Sequence, residues 1–383
     1  MNFVYRFSSP QGDIIADESM LDRAFAVGPS EYHEFMTLRD FFDSIRLFLL
    51  PEKGISLTDI ISQVWRRSVE GKEIEEIIIR YEKYGTLYQI FSIDVSAGGS
   101  FIRICASSAL SEHAKQTLES EYELLAHLEK KYDFGCLPQV YKKDRIRVDK
   151  SDQTETFLMV LLEWFEGYEE WHFQRNHGST LAFLWDMRDG YRFLSETQTF
   201  DTVCRASRIL TLYYDLESTR RITPWHNGGG DFIVKTSDSG VDVKLITVRG
   251  YEPINLSNEK TVLQALCDFC IETITKMRLD KWEGMGKSTW ADRFILDAAL
   301  KGFFEGLRIK DVKGEMSGLS VADVLQELQS LDNEHIGSLV KTQLVGIKQC
   351  DLSDYKTVLR HFDQHAAEII TAIQCLQADA VGT

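Results

Sequence analysis

The sequence contains no run of about 18 apolar residues, which is the length that crosses a bilayer. Its first residues, MNFVYRFSSPQGD, lack the basic stretch and the apolar core of a secretory signal. Its 7 cysteines are an odd number spread singly along the chain, which argues against a disulfide framework and indicates a reducing compartment. We therefore expect a soluble cytoplasmic protein with no membrane partner.

Positive charge is also scarce, because 43 basic residues stand against 59 acidic residues and give a formal charge of −16. This charge repels phosphate backbones and anionic lipid, and the sequence has no basic patch to override it. We therefore expect no nucleic-acid partner. What the chain does have is 383 residues with a hydrophobic content of 44%, enough for a sizeable core in two lobes or domains.

Residues 1–85 are predicted to form a helical N-terminal cap. Apolar residues recur at helical spacing from Leu38 to Leu49. Ser56 can cap a second helix, and Glu73 to Tyr84 has the pattern of a third. The apolar stripe from Leu38 to Leu49 indicates packing surface rather than a binding site.

From Leu87 the sequence changes to the pattern of strands. LYQIFSIDV and FIRICAS are rich in β-branched and aromatic residues and flank the turn at Ser96 to Ser100, which predicts a hairpin. Thr117 to Leu128 has a helical period, and an apolar strand follows over Thr156 to Glu163. Residues 86–167 are therefore expected to form a small lobe and a hinge.

The remaining residues, 168–383, are predicted to form a mostly helical large lobe with a C-terminal extension. Helices are expected over Ser179 to Asp186 and over Asp201 to Glu217. At least four more amphipathic helices are expected, over Thr261 to Met277, Ala291 to Phe304, Val321 to Leu331 and Tyr355 to Leu376.

The most informative stretch is ITPWHNGGGDFIV, from Ile222 to Val234, followed by the strand-like VDVKLITV. His226 and Asp231 lie five positions apart in it. An imidazole suits a general base near neutral pH, and a carboxylate suits magnesium. Gly228-Gly229-Gly230 lies between them and indicates a close backbone approach, to a ligand or to another loop.

In their order, these segments resemble protein-kinase-like phosphotransferases, and the layout is closest to the aminoglycoside and choline kinase type. The resemblance covers roughly Leu87 to Glu252. In that family an Asp takes the acceptor proton, an Asn five residues later holds a metal, and an Asp on a following strand holds a second metal. His226, Asp231 and Thr247 fall at these three positions. The resemblance implies a two-lobed α+β fold with added N- and C-terminal helices and degenerate catalytic motifs.

The resemblance also implies nucleotide contacts in the small lobe. The turn at Gly98 and Gly99 would cover the phosphates, although it lacks a GxGxxG pattern. Glu121 matches the helix acid that pairs with a strand lysine in the family, and Arg103 is the only cation on the matching strand. We therefore expect an Arg103–Glu121 pair. Glu163, at the end of the hinge strand, completes the candidate cofactor-binding residues.

Two functions follow from the resemblance. A noncatalytic ligand-binding or regulatory module is favoured, because a hydroxyl at Thr247 does not replace the carboxylate that bridges metal to phosphates. The alternative is ATP-dependent phosphorylation of a small hydroxylated molecule, with ATP and magnesium as cofactors. In it, His226 is the base, Asp231 holds magnesium, and Arg103 with Glu121 clamps the phosphates. The remaining alternative is that the resemblance is a chance match and the chain is an unrelated α+β protein.

Other histidine and cysteine spacings are interpreted as packing. Cys267 and Cys270 are spaced like metal ligands, but the absence of a second pair predicts core thiols. His361 and His365 share a helical face without the Glu of a metalloprotease motif, so a solvated face is expected. Glu169 to His172 is expected to be a set of exposed acids beside an interfacial Trp.

Overall fold

The computed structural model describes residues 2–28, 31–51, 54–85, 87–186, 190–226, 231–254, 261–281 and 286–376. The chain is a mixed α+β protein that splits into two compact units. Unit 1 comprises Met1–Glu129 and Pro138–Glu166, and unit 2 comprises Lys130–Leu137 and Gly167–Thr383. In the part of the chain that the structure describes, no helix is both long and apolar enough to cross a membrane.

Unit 1 contains nine strands, four helices and a 3₁₀ turn at Gly71–Glu73 in its described residues. The elements in chain order are β1 (Asn2–Phe7), β2 (Ile14–Ile15), α1 (Glu18–Leu21), β3 (Ala24–Gly28), β4 (Glu31–Thr37), α2 (Leu38–Leu49), α3 (Leu57–Trp65), β5 (Ile74–Tyr84), β6 (Gln89–Ala97), β7 (Ser100–Ala109), α4 (Glu112–Lys131), β8 (Val140–Lys150) and β9 (Gln153–Glu163). The last two residues of α4 count with unit 2.

Seven of these strands form one sheet in the order β2-β1-β5-β6-β7-β9-β8, in which only the β1–β5 pair is parallel. Because side chains alternate between faces, β9 contributes to two apolar clusters. Phe157, Met159 and Leu161 pack with the buried residues of α2 and α3. Leu158 and Val160 pack with Ala114 and Leu118 of α4 on the opposite face.

The helices predicted at Leu38 and after Ser56 are confirmed as α2 and α3, and the 96–100 hairpin is confirmed as β6 and β7. The helix predicted over Glu73 to Tyr84 is wrong, because Ile74–Tyr84 is strand β5. This strand lies between β1 and β6, so both of its edges are hydrogen-bonded. Residues 1–85 are therefore part of the same compact unit as the strands that follow them.

Unit 2 contains nine strands and six helices in its described residues, beyond the end of α4. These are β10 (Glu169–Asn176), β11 (Ser179–Asp186), β12 (Gly190–Phe193), α5 (Glu196–Leu212), β13 (Arg220–Ile222), β14 (Phe232–Ser237), β15 (Gly240–Leu245), β16 (Tyr251–Pro253), α6 (Val262–Lys276), β17 (Leu279–Lys281), β18 (Ser288–Trp290), α7 (Arg293–Val312), α8 (Val321–Ser330), α9 (Asn333–Cys350) and α10 (Leu352–Gln374).

Five strands of unit 2 form a sheet in the order β12-β11-β10-β14-β15, and β13 pairs separately with β16. The helix predicted over Ser179 to Asp186 is wrong, because this segment is strand β11. Its buried residues Thr180, Ala182 and Leu184 recur every second position, which is the period of a strand. The five other predicted helices are confirmed as α5, α6, α7, α8 and α10, whereas α9 was not predicted.

Candidate functional site

The candidate catalytic loop of unit 2 begins where β13 ends and returns to β14. The antiparallel pair β13–β16 holds its start, and the Thr223 amide donates to the Gly250 carbonyl at 3.0 Å. A Cβ on Gly250 would lie 2.4 Å from the Thr223 oxygen, so this approach requires glycine. The run Gly228-Gly229-Gly230 lies outside the described residues. The strand predicted after Asp231 is confirmed as β14.

Asp231 is bound by a guanidinium. Arg249 Nη1 donates to Asp231 Oδ2 at 2.6 Å, and Arg249 Nη2 donates to Oδ1 at 2.7 Å. The side chain of Asp231 is 1% exposed, and that of Arg249 is 33% exposed. The two parallel bonds form the fork geometry that makes an arginine–carboxylate pair strong and specific. Sequence reasoning did not find Arg249, which lies two positions after Thr247.

Two backbone amides also donate to Asp231. The His226 amide donates to Asp231 Oδ2 at 2.7 Å, and the Ile246 amide donates to the Asp231 carbonyl at 2.8 Å. The imidazole of His226 is exposed, and it makes no hydrogen bond to any described residue. Thr247 is half-buried two residues beyond the end of β15. The structure thus joins the Asp231 side chain to the backbone amide of His226 and to the side chain of Arg249.

The residues present do not fit a magnesium site at Asp231. The carboxylate already accepts three hydrogen bonds, and two come from a cation. Each pair of like unit charges about 4 Å apart costs about 4 kcal/mol near a protein surface, so Arg249 opposes a second cation there. Across the described ranges, no group of three or more His, Cys, Asp or Glu side chains could hold a metal ion.

In unit 1, Arg103 pairs with Asp94 rather than with Glu121. Arg103 lies opposite Asp94 across the β6–β7 ladder, with Nε 2.5 Å from Oδ1 and Nη2 2.9 Å from Oδ2. Arg103 Nη1 also donates to Glu166 at 3.2 Å. The expected Arg103–Glu121 pair is therefore wrong, because a strand neighbour lies closer to the guanidinium than the helix acid does.

Asp94 belongs to a larger buried ion network on the same sheet. Arg80 of β5, only 4% exposed, donates to Asp94 Oδ2 at 3.0 Å, to Asp13 at 2.8 Å and to Ser92 at 2.8 Å. Burial alone would raise the pKa of Asp94, but the hydrogen bonds and charges of Arg103 and Arg80 outweigh it and lower that pKa. All three nitrogens of each guanidinium thus donate to side chains of unit 1.

The other candidates of unit 1 lie in a turn, at the end of a strand and on a helix. Gly98 and Gly99 have φ values of 56° and 73° and form the two-residue turn between Ala97 and Ser100. A turn with two positive φ values favours glycine without any ligand. Glu163 accepts from the Gln139 amide at 3.2 Å, next to the β8–β9 pairing. Glu121 is buried on α4 at 6% exposure.

The remaining sequence interpretations have mixed outcomes. Cys267 and Cys270 are buried core thiols, as expected, and burial raises the pKa of Cys270 well above its usual value. The solvated face expected at His361 and His365 is wrong, because His365 is 0% exposed. The exposed cluster expected at Glu169 to His172 is wrong as well, because Trp171 and His172 are buried. No protein-family model and no curated protein matches this chain.

Proposed function

We propose that this chain is a noncatalytic, kinase-like module that binds a ligand or regulates a partner. The order of elements supports the proposal. In unit 1 a hairpin, β6–β7, is followed by α4 and then by β8 and β9, as in the small lobe that the sequence resembles. In unit 2 the long helix α5 precedes β13, the candidate loop, β14 and β15. A two-lobed kinase-like fold accounts for both series.

The observation that carries the proposal is the bidentate bond from Arg249 to Asp231. Phosphoryl transfer depends on electrostatic stabilisation by metal ions placed against the phosphates. At the position where the family holds its first metal, this chain has a carboxylate whose charge is neutralised by its own guanidinium. At the position of the second metal it has Thr247. The pair therefore neutralises and orients Asp231 without metal.

The cations of unit 1 support the same conclusion. Arg103 is the only cation on β7, and its donors are engaged by Asp94 and Glu166. Releasing it to a phosphate would leave Asp94, which is 5% exposed, with one arginine instead of two. Each charge-assisted hydrogen bond that a buried carboxylate loses costs about 1.5–3 kcal/mol. The network thus favours a structural role for Arg103 over a phosphate clamp.

The alternative function, ATP-dependent phosphorylation of a small hydroxylated molecule, is supported by one observation. The His226 imidazole is exposed and makes no hydrogen bond to the described residues, so it is accessible as a base. We also propose the cytoplasm as the compartment, since Cys204 and Cys270 form no disulfide.

Two measurements on the purified protein test the proposal. We expect no ATP consumption, and we expect that magnesium adds little to any rise in melting temperature caused by ATP, because a ligand stabilises only by its affinity for the folded state. The variant His226→Ala should melt within about 1 °C of the wild type, because the bond to Asp231 comes from the backbone amide that Ala retains.

His113→Ala, an exposed histidine on α4, is the matched control. Steady ATP turnover by the wild type and by His113→Ala, lost in an equally stable His226→Ala, would establish the phosphotransferase and overturn the proposal. A large magnesium-dependent shift without turnover would contradict the role given to Arg249.

A further inference from the structure

A buried histidine–aspartate pair lies in unit 2, apart from the Asp231–Arg249 pair. His172 Nδ1 is 3.3 Å from Asp280 Oδ1, and the two side chains are 2% and 4% exposed. Asp280 also accepts the Phe173 amide at 2.5 Å and the Lys281 amide at 2.7 Å. A carboxylate that accepts at Nδ1 fixes the ring with its proton there and leaves the Nε2 lone pair as an acceptor.

Two rings that each carry an unpaired nitrogen are in contact at this place. His172 Nε2 has no hydrogen-bond partner among the described residues, and the Trp185 indole Nε1 is buried and also unpaired. The two rings are in contact, with centroids 4.8 Å apart. They share a sheet face, because His172 lies opposite Phe183 and Trp185 lies two positions further along β11. An acceptor and a donor are therefore carried by two neighbouring rings on one face of the sheet.

A buried polar group without a partner is rare. The unpaired Trp185 indole N–H, on a ring in contact with the imidazole of His172, therefore indicates a partner that binds there. The His172–Asp280 bond alone would account for the attachment of β10 to β17. It does not account for a free Nε2 next to a free indole N–H.

Aromatic side chains extend this face toward solvent. Phe183 stacks on Tyr191 with centroids 5.6 Å apart and contacts Phe193 at 4.7 Å. Tyr191 is 68% exposed on β12, the edge strand of the sheet among the described residues. Flat aromatic faces favour flat ligands, which they contact by offset stacking. The surface thus combines a planar apolar wall with one donor and one acceptor.

We propose that His172 and Trp185 bind a planar heterocycle that presents an N–H donor beside a carbonyl or ring-nitrogen acceptor. The ligand N–H donates to His172 Nε2, and its acceptor receives the Trp185 N–H, while its ring lies against the aromatic face. Asp280 is a positioning residue that orients the imidazole. The site is independent of the kinase-like proposal, because it uses neither Asp231 nor Arg249.

The test uses the full chain with ¹⁵N-labelled tryptophan, whose 7 indole N–H signals can be followed by NMR. Trp185→Phe identifies the Trp185 signal by its loss. The probe is 2-pyridone, which carries N–H and C=O on one edge, and the control probe is N-methyl-2-pyridone, which lacks the donor. We expect 2-pyridone to move the Trp185 signal downfield with saturation, and the methylated probe to bind at least tenfold more weakly.

The variant His172→Asn keeps an N–H toward Asp280 and removes the Nε2 acceptor. We expect it to weaken 2-pyridone binding at least tenfold while the other indole signals stay in place, which shows that the fold is intact. Trp65→Phe, in unit 1, is the matched control and should bind normally. The inference is overturned by the absence of a saturable shift at Trp185, by equal binding of both probes, or by normal binding to a folded His172→Asn.

Discussion

At the scale of single residues, His365 is held neutral inside unit 2. Its Nδ1 is 3.1 Å from Arg278 Nη1, which can only donate, and its Nε2 is 2.9 Å from the Thr275 hydroxyl. Arg278 in turn donates to Glu368 at 2.5 Å. Burial first, and then the charge of Arg278, lowers the pKa of His365 from 6.5 to about 3.

This shift predicts a loss of stability in acid. In the unfolded chain His365 takes up a proton as the pH falls through 6.5, whereas in the folded chain it stays neutral down to about 3. Between these values the unfolded state binds more protons, so the free energy of unfolding falls as the pH falls, by at most about 1.4 kcal/mol per pH unit from this group. Above 6.5 its contribution is fully present.

Urea unfolding of the wild type and of His365→Asn between pH 7 and pH 4.5 measures the effect. We expect the difference in unfolding free energy between the two proteins to shrink as the pH falls, since only the wild type loses this contribution. A difference that stays constant over this range would show that His365 is not held neutral.

Single residues also show where sequence reasoning reaches its limit in the site. The five-residue spacing identified His226 and Asp231, and the structure joins them through one hydrogen bond. Arg249 could not be found in this way, because its approach to Asp231 depends on the β13–β16 pairing that returns the chain to the start of the loop. Spacing along the chain identifies local neighbours, whereas partners made by chain reversal require the fold.

At the scale of elements, α5 and α7 pack unusually closely. The Ser207 hydroxyl of α5 donates to the Ala299 carbonyl of α7 at 2.6 Å. A Cβ on Gly302 would lie 2.0 Å from the Cys204 carbonyl oxygen, and one on Gly306 would lie 2.6 Å from Thr211 Cβ. The two glycines, one turn apart, therefore set the distance between the helices.

We expect Gly302→Ala to destabilise unit 2 by about 3 kcal/mol, because the backbone of α5 must move to admit the methyl group. Gly346→Ala is the matched control on α9, where a Cβ would meet nothing within 4 Å. It should stabilise by about 0.5–1 kcal/mol, the advantage of Ala over Gly inside a helix. Urea unfolding of both variants measures the two changes, and equal effects would contradict close packing at Gly302.

Each of the two wrongly predicted helices has a physical explanation. Glu, Lys and Arg between isoleucines gave Ile74–Tyr84 a helical appearance, yet pairing with β1 and β6 on both sides determines its structure. In β11, the less buried residues Leu181, Phe183 and Trp185 are apolar as well. The sequence therefore does not alternate between apolar and polar residues, which is the usual signal of a strand. Helices α2 and α3 were predicted because a strong N-cap and one apolar face are local signals.

At the scale of the whole molecule, the division into units determines which fragments can fold. Both apolar clusters of unit 1 depend on β9, which lies between β7 and β8 in the sheet. The larger cluster also depends on α2, α3 and β5, which lie in residues 1–85. The N-terminal residues are thus part of the core of unit 1, and the boundary expected at residue 85 would cut through it.

We therefore expect residues 1–166 to unfold cooperatively as an isolated fragment, because this fragment keeps all seven strands of the sheet and both clusters that pack on it. Residues 1–129 should not unfold cooperatively, because they lack β8 and β9 and therefore expose the edge of β7. Residues 86–166 should not unfold cooperatively, because the strands lose the side chains of Phe41, Phe42, Ile77 and Ile79, which fill one face of the sheet.

Urea unfolding followed by near-ultraviolet circular dichroism distinguishes the fragments, since only fixed aromatic packing gives that signal. Cooperative unfolding of residues 86–166 would instead mean that the first 85 residues are a separate cap, as the sequence alone had indicated.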